Sequence, residues 1–258
     1  MKRLLVAGLV MVGVSVMALP PQAFQSQWLA AQEESAPILD LTIGLVHYWN
    51  PGETLSANDQ VGTLHGTVVG FTNSTAGWDM GTANTKYVTT ATLTPSITTY
   101  SISVWLKSLT TAMDSHSYRC YAWQVAGAAN PSQIEVVYNP SNHKMAFTPY
   151  NSIHKANWLS AATLPANDTW QHWTFVCDDV NNKLSIYFNG ELDSTNTLTI
   201  TPITPFQNQT CIGGRRVAPT TANTKYHGTI DQLRFYSYAV DEDMARAIYA
   251  QTKASKGL

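Results

Sequence analysis

From Leu41 onward, clusters of Asn, Gly, Pro and Asp cut the chain into short apolar runs, and this punctuation restricts the fold more than any other feature. The runs fall at 44–49, 100–107, 117–125, 133–138, 144–147, 172–177, 183–188, 209–213 and 229–236. Their regular spacing predicts a sandwich or barrel of short strands. Along 100–107 the pattern alternates, with Ile102, Val104 and Leu106 on one face and Ser101, Ser103 and Trp105 on the other. Two hairpins are marked. A polar reversal, 178–183, separates two apolar strands, and Asn189-Gly190 supplies the dipeptide that best tolerates positive φ at both centres of a tight turn. The one amphipathic helix lies near the end, where Asp241 is placed to cap it and Met244/Ile248 and Ala245/Tyr249 repeat at i, i+4. One helix against roughly ten short strands makes the chain all-β.

The first residues carry a targeting pattern. Lys2 and Arg3 precede 16 uncharged residues, Leu4 to Leu19, which is short of the ~20 a membrane-crossing helix needs. Val16-Met17-Ala18 offers a cleavage point, so 1–18 reads as a secretory signal peptide and 19–40 as a polar linker. The domain then covers 41–250, with 251–258 as a C-terminal tail. After signal cleavage no span remains, and the expected location is secreted, extracellular or periplasmic.

Composition excludes several functions. Charged residues make up 12% of the 258, about half the usual share, and the formal net charge is -2. Nucleic acid is therefore not a partner, because binding phosphates takes clustered Lys and Arg. Cys120, Cys177 and Cys211 have no CxxC spacing, which argues against zinc, and three cysteines allow at most one disulfide within the chain. One hexapeptide, Thr-Ala-Asn-Thr-Lys-Tyr, occurs at 82–87 and again at 221–226. It forms either two turns of the same chemistry or two rim loops that present Asn84 and Asn223 to one ligand.

The order of motifs carries a family resemblance. Leu45-Val46-His47-Tyr48-Trp49 is followed by Asp59 and His65-Gly66, then by Ser103-Val104-Trp105-Leu106-Lys107 and Trp170-Gln171-His172-Trp173. Next come Leu184 to Gly190, Ile212-Gly213-Gly214 and a Gly228 to Tyr236 strand carrying Ile230-Asp231. This series resembles the laminin G-like domains of the concanavalin A-like lectin and glucanase superfamily in secreted bacterial proteins. The resemblance implies a two-sheet antiparallel jelly-roll sandwich with a short C-terminal helix. Large aromatics, Trp49, Trp105, Trp170 and Trp173, are expected in its core, and the helix over part of the sandwich or an edge. In relatives an Asp of the last strand holds a structural calcium. Asp231 takes that position here, with Asn50, Glu53 or Asp59 as companions, since Ca²⁺ takes hard oxygen ligands. The alternative is that Asp231 only accepts backbone N–H bonds.

No catalytic pattern stands out. The Glu-x-Asp-x-Glu strand of jelly-roll hydrolases is absent, and Glu191 with Asp193 is the nearest approach to a carboxylate pair. Glu135 is a lone acid in an apolar strand. His172, between two tryptophans, reads as a hydrogen-bonded framework residue. Sugar recognition needs aromatic rings beside polar groups, and 116–158 mixes both. Arg119, Tyr121 and Trp123 share a strand face, which either looks to solvent as a platform or points into the core. Trp158 and Trp78 lie in polar stretches expected to be loops, and Tyr150 completes the ligand-binding candidates. The expected function is a secreted, non-catalytic module that recognises a polysaccharide or glycoconjugate. The alternatives are an adhesive surface protein that binds another protein, and a carbohydrate-active hydrolase or lyase.

Overall fold

The computed structural model describes residues 38–81, 86–92, 97–109, 118–124, 133–139, 142–149, 158–163, 168–199, 209–214 and 226–258, the side chains at 91, 92, 118–124, 133 and 209 excepted. Residues 1–37, which hold the expected signal peptide and most of the expected linker, lie outside this set.

Fourteen strands are described: β1 (Leu45–Trp49), β2 (Gly66–Val69), β3 (Trp78–Gly81), β4 (Tyr87–Thr92), β5 (Tyr100–Ser108), β6 (Tyr118–Gln124), β7 (Gln133–Asn139), β8 (Lys144–Pro149), β9 (Trp158–Thr163), β10 (Trp170–Asp178), β11 (Lys183–Phe188), β12 (Glu191–Thr197), β13 (Gln209–Ile212) and β14 (Gly228–Tyr236). They form two antiparallel sheets. The first runs β1-β14-β5-β10-β11-β12, and β3 also pairs with β14. The second runs β2-β4-β13-β6-β7-β8-β9. β14 serves both β1 and β3 because its first residues pair with β3 and its last with β1. A bulge lies between, where Gln232 takes a left-handed φ of 47°. The fold is the all-β sandwich read from the sequence.

Strand alternation sends one set of side chains between the sheets. Ile102, Val104 and Leu106 of β5, Trp173 and Phe175 of β10, and Leu184 and Ile186 of β11 meet Ile134, Val136, Met145 and Phe147 of the second sheet. Phe147 lies 5.6 Å from Phe175 and 6.2 Å from Tyr100, ring centroid to centroid, so aromatic rings interdigitate across the layers. The Asn189-Gly190 turn has φ of 50° and 86°, as the dipeptide predicts. Its asparagine also pairs with His172, accepting from the His172 N–H at 2.9 Å and donating its own N–H to the His172 carbonyl at 2.9 Å.

The C-terminal helix, Glu242–Thr252, begins at Asp241, whose carboxylate accepts the Met244 N–H at 2.9 Å. It covers the outer face of the first sheet, not an edge. Met244, Ala245 and Ile248 form a second apolar cluster with Val176, Tyr187, Tyr236 and Val240. Trp105 belongs to this layer. The alternation that sends its neighbours inward points Trp105 outward, where it packs beside His172 and Tyr249 and donates its ring N–H to Thr252 Oγ1 at 2.9 Å. Its burial therefore depends on the helix. Asp241→Ala is expected to cost about 1 kcal/mol through the lost cap, read as a lower denaturant midpoint with an unchanged slope.

Three further expectations need correction. Trp170 is half-buried instead of fully in the core, because it sits at the start of β10 beneath the Lys256 ammonium. Trp78 is not in a loop: it lies in β3, fully buried, and its ring N–H reaches Asn73 Oδ1 at 3.0 Å. Residues 251–258 are not a loose tail, since Lys253–Lys256 form a 3₁₀ turn tied to the body.

Candidate functional site

Two carboxylates named from the sequence sit at the β1 end of the first sheet. Asp59 faces the end of β1 and is buried. Its Oδ1 accepts the N–H groups of Tyr48, Val61 and Gly62 at 3.0–3.1 Å. Its Oδ2 accepts the Leu64 N–H at 3.1 Å and the His47 ring Nδ1 at 2.6 Å. Burial opposes ionisation of this carboxyl, but the bonds from His47, Tyr48, Gly62 and Val61 outweigh it and hold the pKa far below the usual carboxylate range. The loop it anchors also closes over Trp49, whose ring N–H donates to the Leu64 carbonyl at 3.1 Å.

Asp231 is buried just ahead of the β14 bulge. Its Oδ1 accepts the Gly52 N–H at 3.0 Å, and its Oδ2 pairs with the Lys256 ammonium. Asn50, also buried, donates its amide to Glu53. These donors leave little for the calcium ion that the family resemblance implies. Every oxygen of Asp59 and Asp231 already faces an N–H or an ammonium, and those groups present positive charge where a cation would sit. Among the described residues no group of three or more His, Cys, Asp or Glu side chains could hold a metal. The residues present do not fit a calcium ion at Asp231, Asn50 and Asp59. Asp231 does accept a backbone N–H, as the alternative reading held, but its main partner is Lys256. That partner was missed because it lies 25 positions away in a stretch read as a tail.

His172 is fully buried. Ser103 Oγ lies 2.8 Å from its Nε2, and its Nδ1 has no hydrogen-bond partner among the described residues. Burial, with the nearby Arg234 charge, pushes its pKa down to about 3, so it is a neutral framework group. Cys177 is a buried thiol pushed up to about 12 by desolvation, which removes it as a nucleophile, and Cys211 is likewise a buried thiol.

The ligand-binding candidates are not assembled into one described site. Trp158 opens β9, not a loop. It is half-buried against the core, and its ring N–H donates to Ser194 Oγ at 3.1 Å. Packing against the core claims the ring that was expected to stand free. Arg119, Tyr121 and Trp123 lie in β6. There the backbone register sets Tyr121 opposite Val136 and Ile212, Trp123 opposite Ile134 and Thr210, and Arg119 opposite Val137. Their side chains, and the whole of Tyr150, Asn84 and Asn223, lie outside the described residues. Of the repeated hexapeptide, Tyr226 is buried with its hydroxyl 2.6 Å from Ser108 Oγ, while Tyr87 opens β4. Among the described residues no Trp or Tyr is exposed.

Glu191 and Asp193 are engaged by different partners. Glu191 meets Arg246 of the helix, and Asp193 accepts the Ala161 and Ala162 N–H groups at 2.6 Å, joining the edge strands of the two sheets. Glu135 differs from both. Ile134, Val136 and Tyr138 point into the core, so alternation turns Glu135 to the outer face of the second sheet. Thr148 lies opposite it on β8, and Val137 lies opposite Ala146. All four are buried although they face away from the core, with Glu135 only 2% exposed. Glu135 and Thr148 are thus enclosed, and each has a partner of its own.

Residues 81–244 match the laminin G family model described as the concanavalin A-like lectin/glucanases superfamily. The chain belongs to that superfamily. Among solved structures, the fold of this superfamily member is similar to domain 4 of AbnA, a GH43 extracellular arabinanase from Geobacillus stearothermophilus, in complex with arabinotriose. The TM-score is 0.64 at 17% identity, covering 80% of this chain and 98% of that one. It is also similar to the Ruminococcus gnavus IT-sialidase CBM40 bound to alpha2,3 sialyllactose, with TM-score 0.50 at 13% identity and coverage of 60% and 83%. The botulinum neurotoxin serotype D binding domain follows, with TM-score 0.62 at 11% identity and coverage of 81% and 52%. At these identities the likeness shows the fold. No curated protein matches the sequence. Among the described residues no helix is long and apolar enough to cross a membrane.

Proposed function

We propose that the chain is an exported, non-catalytic module that binds a polysaccharide or glycoconjugate. The observation that carries this reading is the match of residues 81–244 to the lectin and glucanase superfamily. The helix seals the outer face of the first sheet with apolar side chains, so that face is not free for a ligand. Sugars present many hydroxyls to a few well-placed polar groups. The arabinanase domain with arabinotriose and the sialidase module with sialyllactose lend support as glycan-bound examples of this fold. Hydrolysis commonly takes two carboxylates at ~5–9 Å, and Glu191 and Asp193, the nearest approach to a pair, are engaged by Arg246 and by the Ala161 and Ala162 N–H groups, which supports binding without turnover. The charged, then apolar, start of the sequence supports export.

Affinity gels loaded with arabinan and with sialylated glycans test the reading. Retention is expected on at least one gel, with no reducing ends released. Failure on every glycan, with capture by a surface protein, would favour an adhesive role, and released reducing ends an enzyme.

A further inference from the structure

We infer that Lys256 is the resident cation of this domain, its ammonium standing at Asp231 where the superfamily resemblance implies a calcium ion. The two groups are almost wholly enclosed, with side-chain exposures of 5% for Lys256 and 2% for Asp231. A buried carboxylate at that depth must be neutralised, and a single positive charge with three N–H donors does so without a coordination shell. The ammonium also lies 4.8 Å from the centre of the Trp170 ring, a second favourable contact for a desolvated cation.

The chain around the pair is built to deliver Lys256. The helix is fastened by Thr252, whose hydroxyl donates to the Ile248 carbonyl at 2.6 Å and accepts from Trp105. The following 3₁₀ turn is fastened by the Gln232 amide, which donates to Ser255 Oγ at 2.8 Å. Gln232 is the residue held at positive φ in the β14 bulge, so the kink that interrupts the ladder also supplies the tether beside Asp231. On the other side the Gly52 N–H completes the carboxylate. A Cβ at Gly52 would lie 2.6 Å from Asp231 Oδ2, so the backbone presses directly on the pair. The C-terminal turn thus replaces an exchangeable ion with a covalently attached one, and the fold becomes independent of divalent metal.

Thermal unfolding of the whole secreted chain tests this, in EDTA and in calcium chloride, for the unchanged protein and for Lys256→Met, Asp231→Asn and the double variant. The unchanged protein is expected to melt at the same temperature in both solutions. Each single variant is expected to melt lower by on the order of 10 °C, because it strands one buried charge. The double variant is expected to lose clearly less than the sum of the two, since neither charge then remains. Melting of the unchanged protein that falls in EDTA would overturn the inference by showing a metal at work. Strictly additive losses would overturn it too, by showing that the two side chains do not act as a pair.

Discussion

Asp59→Ala is expected to destabilise the domain by on the order of 5 kcal/mol, the largest effect of any single carboxylate described here. Five donors converge on this side chain: four backbone N–H groups and the His47 ring. A hydrogen bond to a charged group contributes about 1.5–3 kcal/mol, and a buried donor left without its partner costs about 1–3 kcal/mol. These terms do not add fully, yet even a partial sum reaches the ~5–15 kcal/mol by which a domain is stable at all. The loss would spread through the 59–65 loop to Trp49, so tryptophan emission and the denaturant midpoint should move together. Asp59→Asn, which keeps one acceptor oxygen but turns an amide N–H₂ toward other donors, is expected to fall between wild type and alanine. A denaturant midpoint for Asp59→Ala within experimental scatter of the wild type would show that the loop is held by something else.

Stability is expected to fall as pH drops below about 6.5, well before ordinary carboxylates titrate. The cause is His172, whose pKa is pushed to about 3 in the fold by burial and by Arg234. A histidine depressed in the folded state favours folding fully above its unfolded value near 6.5, and that stability is lost as pH falls toward the folded value. One proton taken up on unfolding corresponds to ~1.4 kcal/mol per pH unit, so about 2–3 kcal/mol should disappear between about pH 6.5 and pH 4.5. Asp59 acts later. Its depressed carboxyl favours folding above the unfolded value near 3.9 and withdraws that support only below it. His172→Gln keeps a polar group for Ser103 and does not titrate, so its stability should stay flat across the upper window while the lower one remains. A wild-type midpoint that does not change between pH 7 and pH 4.5 would contradict the buried neutral imidazole.

Much of the fold was legible because strand alternation and turn chemistry are local. Asn189-Gly190 formed the turn its residues favour, Asp241 capped the helix, and Ile102, Val104 and Leu106 went inward as their period of two required. The aromatic assignments were less legible. Trp105 was assigned to the core and Trp158 to a free loop, yet one is sealed by a helix some 140 residues later and the other is packed against Phe147 and Ser194. Burial of a large ring depends on what lies across from it, and no spacing along the chain reveals that. Glu135 was visible as a lone acid in an apolar strand, but its place on the outer face of the second sheet follows only from pairing with β6 and β8.

The sequence by itself determined an all-β chain of short, punctuated strands with one terminal helix, and the superfamily to which their order belongs. These are consequences of side-chain period, turn residues and capping, each set within a few positions. Only the tertiary structure decided which carboxylate answers which cation. Asp231 reads equally well as a metal ligand or as an acceptor until the last turn brings Lys256 against it. Electrostatic partnership is fixed by distance and burial in space, and neither quantity is written along the chain.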